Sequence, residues 1–406
     1  MKKTIIPIML LAGLAACSNG DYFEGDGDFA DKGYYGYAEI AGGPGDGGVA
    51  PGEGTGTGDN QDHSGVVTAG EWNDLDNWNF WSGLMTGDDY KDMASYWGFY
   101  TSGRVAVEVT SDGTAPVVGA KVDLVRSGKA IWSAVTDKFG RAELFVDFFQ
   151  KGDPDASSLS ITIDGKAQEG PVEISAYDTQ SMHKVNKFTV TPTVTPADIV
   201  DIAFVVDATG SMFDEIDFLK SDLKSILDKV AEMETTTTIR TAALFYRDEG
   251  DEYVTKYNDF SKKFDDTIKF IDKQRASGGG DYPEAVHTAL DVTLNELKWD
   301  NSARAHLVFM LLDAPAHQDH DGVLDSLHSS MEKYAAKGIK IIPVAASGVD
   351  KNTEFMCRFF AISTGGTYVF LTNDSGVGGD HITPSVGQYQ VEKLNDLIVR
   401  LITKYI

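Results

Sequence analysis

Residues 205–212 read VVDATGSM, which sets a carboxylate at Asp207 and hydroxyls at Thr209 and Ser211, each two residues from the next, with Gly210 between the hydroxyls. Oxygen donors of this kind suit a hard divalent cation. Once the chain leaves the extended form, all three can turn toward one point while the glycine permits a tight backbone path. The same residue types also cap helices, since Asp and Ser accept hydrogen bonds from the free amides of a first turn.

The elements around these residues indicate where they must lie. VDIAFVVD, TAALFYR, RAHLVFMLLD, IKIIPVAAS and TYVFL are compact apolar runs. Between them lie helical stretches such as FDEIDFLKSDLKSILDKVAEM, where Ile216, Leu219, Leu223, Ile226, Leu227 and Val230 recur at three- and four-residue steps. Apolar strands alternating with amphipathic helices predict a doubly wound α/β domain with a mostly parallel sheet over residues 198–406. EYVTKYNDF is expected as a short antiparallel edge strand. In open sheets of this type ligands gather beyond the carboxyl ends of the strands, which is where Asp207 falls.

The D-x-T-x-S pattern after an apolar strand resembles the D-x-S-x-S motif of von Willebrand factor type A domains, whose metal-ion-dependent adhesion site (MIDAS) holds Mg²⁺. Two later segments fit the resemblance: 277–284, SGGGDYPE, is similar to the glycine-rich second loop, and 312–317, LDAPAH, to the third. YRDEGDEY and STGGTYVFLTNDSGVGG extend the likeness over most of the last half of the chain. The resemblance implies Asp207, Thr209 and Ser211 as ligands from the first loop and Asp313 from the third, the last through water. It implies Mg²⁺ as cofactor, with Mn²⁺ or Ca²⁺ as alternatives, and a protein partner that completes the coordination with a carboxylate. Many members use a threonine in the second loop; here Asp281 stands as ligand, or else holds one in place, with Glu284 and His317 behind the ligands. His317 is expected to orient Asp313 through a hydrogen bond. A direct carboxylate from the second loop would lower the net charge of the site and weaken it as an electrophile.

Catalysis is not expected. Ser211, His317 and Asp313 could be drawn as a hydrolytic triad, but a hydroxyl that gives its lone pair to a cation is poorly placed to be deprotonated by an imidazole. The chain has neither a G-x-S-x-G elbow nor a P-loop lysine. His317 and His320, with Asp319 and Asp321, have the His-x-x-His spacing of some zinc sites and read here as a polar loop after a strand. The alternatives to an adhesive module are a structural subunit of a cell-envelope assembly and a metal-dependent hydrolase.

The chain of 406 residues carries 35 Lys and Arg against 62 Asp and Glu, a net charge of -27, which repels phosphate backbones and excludes nucleic acid as a partner. MKKTIIPIMLLAGLAACSNG has the layout of a secretory signal, and LAAC at 14–17 resembles the bacterial lipobox. That resemblance implies a signal peptide at 1–16, lipidation of Cys17, and a location in the cell envelope, anchored to the outer membrane or cell surface. With Cys17 acylated, Cys357 has no disulfide partner and is expected as a buried small hydrophobe.

Residues 17–70 are rich in Gly, Asp and Glu and read as a flexible acidic tether. Asp26, Asp28 and Asp31 lack the glycine and terminal glutamate of a calcium loop. An aromatic segment at 71–100 brings Trp72, Trp78, Trp81 and Trp97 close together, as a packed mini-core or a clamp on neighbouring domains. Period-two runs over 101–195 predict an antiparallel β-sandwich. VVGAKVDLV…AVTDKFGRAEL within it resembles the transthyretin-like or carboxypeptidase-regulatory-like modules of immunoglobulin type found in exported bacterial proteins, so this part is expected as a spacer.

Overall fold

The computed structural model describes residues 64–175, 177, 184–233 and 236–406. The expected signal peptide, Cys17 and nearly all of the expected tether lie outside the described residues. Strand β1 (Thr68–Trp72) leads into helices α1 (Trp78–Met85) and α2 (Asp88–Trp97). Seven strands follow: β2 (Arg104–Thr110), β3 (Lys121–Arg126), β4 (Lys129–Val135), β5 (Arg141–Phe145), β6 (Leu159–Ile163), β7 (Lys166–Ala167) and β8 (Val185–Thr189). The remainder runs β9 (Ala197–Asp207), α3 (Ile216–Ala231), β10 (Thr238–Tyr246), β11 (Thr255–Ser261), α4 (Phe264–Asp272), α5 (Val286–Asn295) and β12 (Ala303–Leu312). It ends with α6 (Val323–Ala336), β13 (Ile339–Ala345), α7 (Lys351–Thr364), β14 (Tyr368–Leu371), β15 (Glu392–Lys393) and α8 (Leu394–Tyr405).

Strands β2 to β8 form two small sheets, ordered β5-β2-β8 and β4-β3-β6-β7. Alternation does its usual work here: in β4, KAIWSAV, Trp132 and Ala134 are buried and their neighbours are not. Val105, Val107, Leu124, Trp132, Leu144 and Ile161 of the two sheets share one core. Pairing departs from the expected antiparallel pattern at one place, where β2 and β8 run parallel. β8 is reached through a long connection from β7, so no hairpin turn imposes the opposite direction.

The larger sheet has the order β11-β10-β9-β12-β13-β14-β1-β15. β9 pairs in parallel with both β10 and β12, β13 continues the parallel set to β14, and β11 closes one edge antiparallel to β10. The unbroken apolar run of β9 reflects burial on both faces. Phe204 and Val206 join α3 and α8 in one core, and Ala203 and Val205 join α5, α6 and α7 in the other.

At the opposite edge the tether boundary is corrected. Residues 68–70 belong to β1, which pairs antiparallel with β14 and with β15. The segment TAGEW is short and follows a glycine-rich run, so it carries little pattern of its own. Gly70 shows why the strand fits nonetheless: a Cβ there would sit 2.7 Å from the rings of Phe370 and Tyr389.

The tryptophans clamp. Trp78, Trp81 and Trp97 are buried, Trp81 stacks on Phe355 of α7, and Phe99 stacks on Phe359 of the same helix at 3.8 Å between centroids. Trp78 also donates to the Ser175 carbonyl on the sandwich side, so the segment ties both sheet systems together. Cys357 lies in this core, fully buried and unbridged. Among the described residues no helix is long and apolar enough to cross a membrane.

Candidate metal centre

Asp207 is the last residue of β9 and Asp313 follows the last residue of its neighbour β12. Val206 and Leu311 are in register across the pair, so both carboxylates leave the sheet side by side at the carboxyl ends of the strands. Asp207 Oδ1 accepts from the Thr209 amide at 2.9 Å and from Thr209 Oγ1 at 2.6 Å, and Thr209 Oγ1 lies 3.1 Å from Ser211 Oγ. The chain then makes a short 3-10 turn, and α3 begins only at Ile216, with Glu215 in the cap position and no side-chain cap bond. Helix capping therefore does not account for Asp207, Thr209 and Ser211.

The second loop is bonded onto the first. Gly210 N donates to Gly278 O at 2.9 Å and Ser277 N to Ala208 O at 3.0 Å. Gly279 has φ +73°, and a Cβ on it would meet Glu284 Oε1 at 2.8 Å and Thr209 Cβ at 3.3 Å. The Glu284 carboxylate therefore sits beside Thr209, through a space that only glycine leaves open. Glu284 N donates to Pro315 O at 2.8 Å, and Glu284 bridges Ala316, which stitches the second loop to the third. Asp281 goes elsewhere. It is exposed, and its carboxylate groups with Asp248 and His317.

Three carboxylate oxygens at this point are buried with no hydrogen-bond partner: Asp207 Oδ2, Glu284 Oε2 and Asp313 Oδ1. Buried polar atoms are nearly always satisfied, so three orphans on three loops call for a missing partner. Burial pushes the Asp207 carboxyl up to about 6, against the pull of the Thr209 hydrogen bonds. Burial and then the charge of Asp207 push Asp313 up to about 7, eased by the Ser211 hydroxyl. Glu284 rises to about 9 through burial and the charges of Asp207, Asp248 and Asp313. The Tyr246 hydroxyl faces the same acids and is held well above its usual range by burial and then by the charges of Asp207 and Asp313. Carboxylates that raise one another in this way lack a counter-charge, and a divalent cation supplies one. The donors of Asp207, Thr209, Ser211, Glu284 and Asp313 are all oxygen, a set whose chemistry fits Mg²⁺, Mn²⁺ or Ca²⁺.

Residues 201–356 match the von Willebrand factor A domain family. The chain carries a von Willebrand factor A domain. Domains of this family generally mediate protein–protein interaction and commonly bind a divalent metal. The chain is 39% identical over 120 residues to an ariadne-like RING finger protein, R811, of Acanthamoeba polyphaga mimivirus, a match that covers 29% of this chain and 11% of that protein. It is 27% identical over 165 residues to the alpha-protein kinase vwkA of Dictyostelium discoideum, covering 39% of this chain and 25% of the kinase. The chain thus spans a quarter or less of the length of these curated relatives. Among solved structures, the conserved hypothetical protein BatB from Bacteroides thetaiotaomicron is similar at 13% identity and a TM-score of 0.35, over 51% of this chain and 98% of that one.

Within the von Willebrand factor A domain, His317 does not orient Asp313. Its Nε2 lies 2.6 Å from Asp248 Oδ1, and its ring stacks on His320 at 4.3 Å. The two residues are 69 apart in sequence, so spacing could not pair them. Asp248 is one of four acids in YRDEGDEY, none of which carries a role in the sequence pattern alone. Glu215 was also missed: it is buried beneath the site, adds to the upward shift of Asp313, and accepts from Ser347 N at 3.1 Å. Its amide donor, with His381 Nε2 3.2 Å from the same carboxylate, marks it as an acid already engaged by the fold.

Proposed function

We propose that this chain is a surface-exposed, lipid-anchored protein whose von Willebrand factor A domain binds a partner protein through a divalent cation, Mg²⁺ in the first instance. The observation that carries this reading is the trio of buried, unpartnered carboxylate oxygens on Asp207, Glu284 and Asp313, beside the hydroxyls of Thr209 and Ser211. In this reading Asp207, Thr209, Ser211, Glu284 and Asp313 hold the ion. Asp281 does not touch it; its exposed carboxylate adds to the acidic rim.

A carboxylate of the partner completes the coordination. The module is adhesive rather than catalytic, because Ser211 belongs to the cation and His317 is committed to Asp248. Cys17 carries the anchor, and the protein sits in the cell envelope at the outer membrane or cell surface, without nucleic-acid contact.

Calorimetric titration of the full chain with Mg²⁺, Mn²⁺ and Ca²⁺ tests the cation, and capture of surface proteins in Mg²⁺ or in EDTA tests the partner. Binding of cation by the wild-type chain, lost in Asp207→Ala together with capture, supports the reading. Capture that persists in EDTA, or ester or phosphate turnover that depends on Ser211, would replace adhesion with assembly or hydrolysis. Labelling with radioactive palmitate, lost in Cys17→Ser, tests the anchor.

A further inference from the structure

We propose a second cation site, for a borderline transition ion of the Zn²⁺ class, formed by His317, Asp319 and His320 and braced by Asp248. One donor atom from each of His317, Asp319 and His320 lies within 4.8 Å of the other two. A tetrahedral ion with bonds of roughly 2.0–2.1 Å wants donors about 3.4 Å apart, so the cluster needs a contraction of at most about 1.4 Å. Asp319 and His320 are exposed and can supply that movement, while His317 is buried and supplies the fixed point.

Asp248 is the reason to regard His317 as a ligand. Its Oδ1 engages His317 Nε2 at 2.6 Å, which leaves Nδ1 as the coordinating atom. A carboxylate behind one ring nitrogen and a cation before the other is the usual way a protein fixes the tautomer and direction of a metal-binding imidazole. The rings of His317 and His320 stack with centroids 4.3 Å apart and planes 6° from parallel, which holds the second imidazole beside the first, and the exposed His320 ring must turn out of the stack for both lone pairs to meet one ion. A third imidazole shares the neighbourhood: His287 Nδ1 is buried with no hydrogen-bond partner, and Asp281 adds an exposed carboxylate within 4.8 Å of Asp248 and His317.

The donor types separate this site from the one at Asp207. An oxygen-only set takes Mg²⁺ or Ca²⁺; imidazoles mixed with carboxylate favour Zn²⁺, Co²⁺ or Ni²⁺. The ligands span only HQDH, so closing them around an ion costs little chain entropy. They begin four residues after Asp313, on the same loop, so an ion here would stiffen the connection that carries an Mg²⁺-site carboxylate.

The test is titration of the untagged full chain with Zn²⁺ in excess Mg²⁺, with Co²⁺ as a spectroscopic substitute whose ligand-field absorption reports low-symmetry nitrogen and oxygen coordination. Replacing buried His317 would disturb the fold, so the exposed residues carry the comparison. Wild-type chain is expected to take up Zn²⁺, with affinity falling about tenfold or more in His320→Gln and in Asp319→Asn. Asp207→Ala should lose its Mg²⁺ response and keep its Zn²⁺ affinity, so that failure of one site is told from failure of the other. The proposal is overturned by the absence of Zn²⁺ uptake in the wild-type chain, or by unchanged affinity in the His320→Gln/Asp319→Asn double variant. It is equally overturned if Zn²⁺ binding follows Asp207 and ignores His320, for then the ion occupies the oxygen site.

Discussion

Arg358 of α7 meets Asp74, 284 residues earlier, fork to fork: Nε lies 2.9 Å from Oδ2 and Nη2 2.6 Å from Oδ1. Both side chains are buried, the guanidinium also donates to Tyr90 and to the Ser385 carbonyl, and its plane lies 4.8 Å from the Trp81 ring. The pair bolts the segment after β1 to the von Willebrand factor A domain. Removing Asp74 leaves the buried guanidinium with the more distant Glu354 carboxylate at 3.7 Å, so Asp74→Ala should lower stability by about 3 kcal/mol in urea unfolding. The double variant Asp74→Leu/Arg358→Met should lose less than the single one. A double variant as damaged as Asp74→Ala would show that the pair stabilises beyond mutual neutralisation.

Asp207→Asn removes one charge from the trio and keeps its shape. Without divalent cation it should melt at or above the wild-type temperature, and the upward shift that Mg²⁺ gives the wild-type chain should vanish. Thermal melts in EDTA and in Mg²⁺ read both effects.

The acids at the site also set a pH dependence. Asp207, Asp313 and Glu284 have folded values of about 6, 7 and 9, raised from 3.8, 3.8 and 4.5. A raised carboxyl value means the folded chain binds protons more tightly than the unfolded one. This contribution to stability is fully present below about pH 4 and is lost as pH rises through the folded values. Cation-free chain should therefore lose melting temperature from about pH 5 to about pH 9, more steeply than Asp207→Asn, and the Mg²⁺-induced rise should be larger at the alkaline end. A Mg²⁺ shift independent of pH would separate these acids from the ion.

Gly279 gives a steric test of Glu284. A methyl group there meets Glu284 Oε1 at 2.8 Å on a backbone of positive φ, so Gly279→Ala should displace the carboxylate and weaken Mg²⁺ binding about tenfold or more. Asp281→Asn, by contrast, should leave Mg²⁺ affinity within about twofold, since its carboxylate lies with Asp248 and His317. Calorimetry on the two variants distinguishes the two acids of the second loop.

A chain begun at residue 198 would lack β1, leaving the backbone of β14 unpaired along that edge. Exposed edges of this kind recruit other chains. Such a chain should elute as aggregate in size-exclusion chromatography where one begun at residue 60 elutes as a discrete species. A monomeric, cooperative 198–406 chain would refute the structural role of β1.

Much of this is legible in the residues. The parallel strands announce themselves because β9, β12 and β13 are apolar on both faces, and Asp207, Thr209 and Ser211 stand out because polar oxygens at alternate positions have no reason to end a buried strand. The second loop is legible only in outline: SGGGDYPE offers two acids, and the choice between Asp281 and Glu284 rests on the positive φ of Gly279 and on the Glu284–Pro315 hydrogen bond. Local pattern carries neither. β1 escapes for a related reason, since TAGEW has no periodicity and its identity as a strand comes from β14 and β15, which it meets across the sheet. The parallel pairing of β2 with β8 and the His317–Asp248 contact are likewise facts of topology.

The pairing of Ala69 with Leu371 has a consequence in time. A ribosome adding about 5–20 residues per second releases the first of these some 15–60 seconds before the second. The opening strand therefore spends that interval without its neighbour, while the intervening modules take shape between the two halves of its seam. The piece synthesised first is installed near the end, and assembly of the whole should be limited by that late arrival rather than by the fast local folding of α3 or α7.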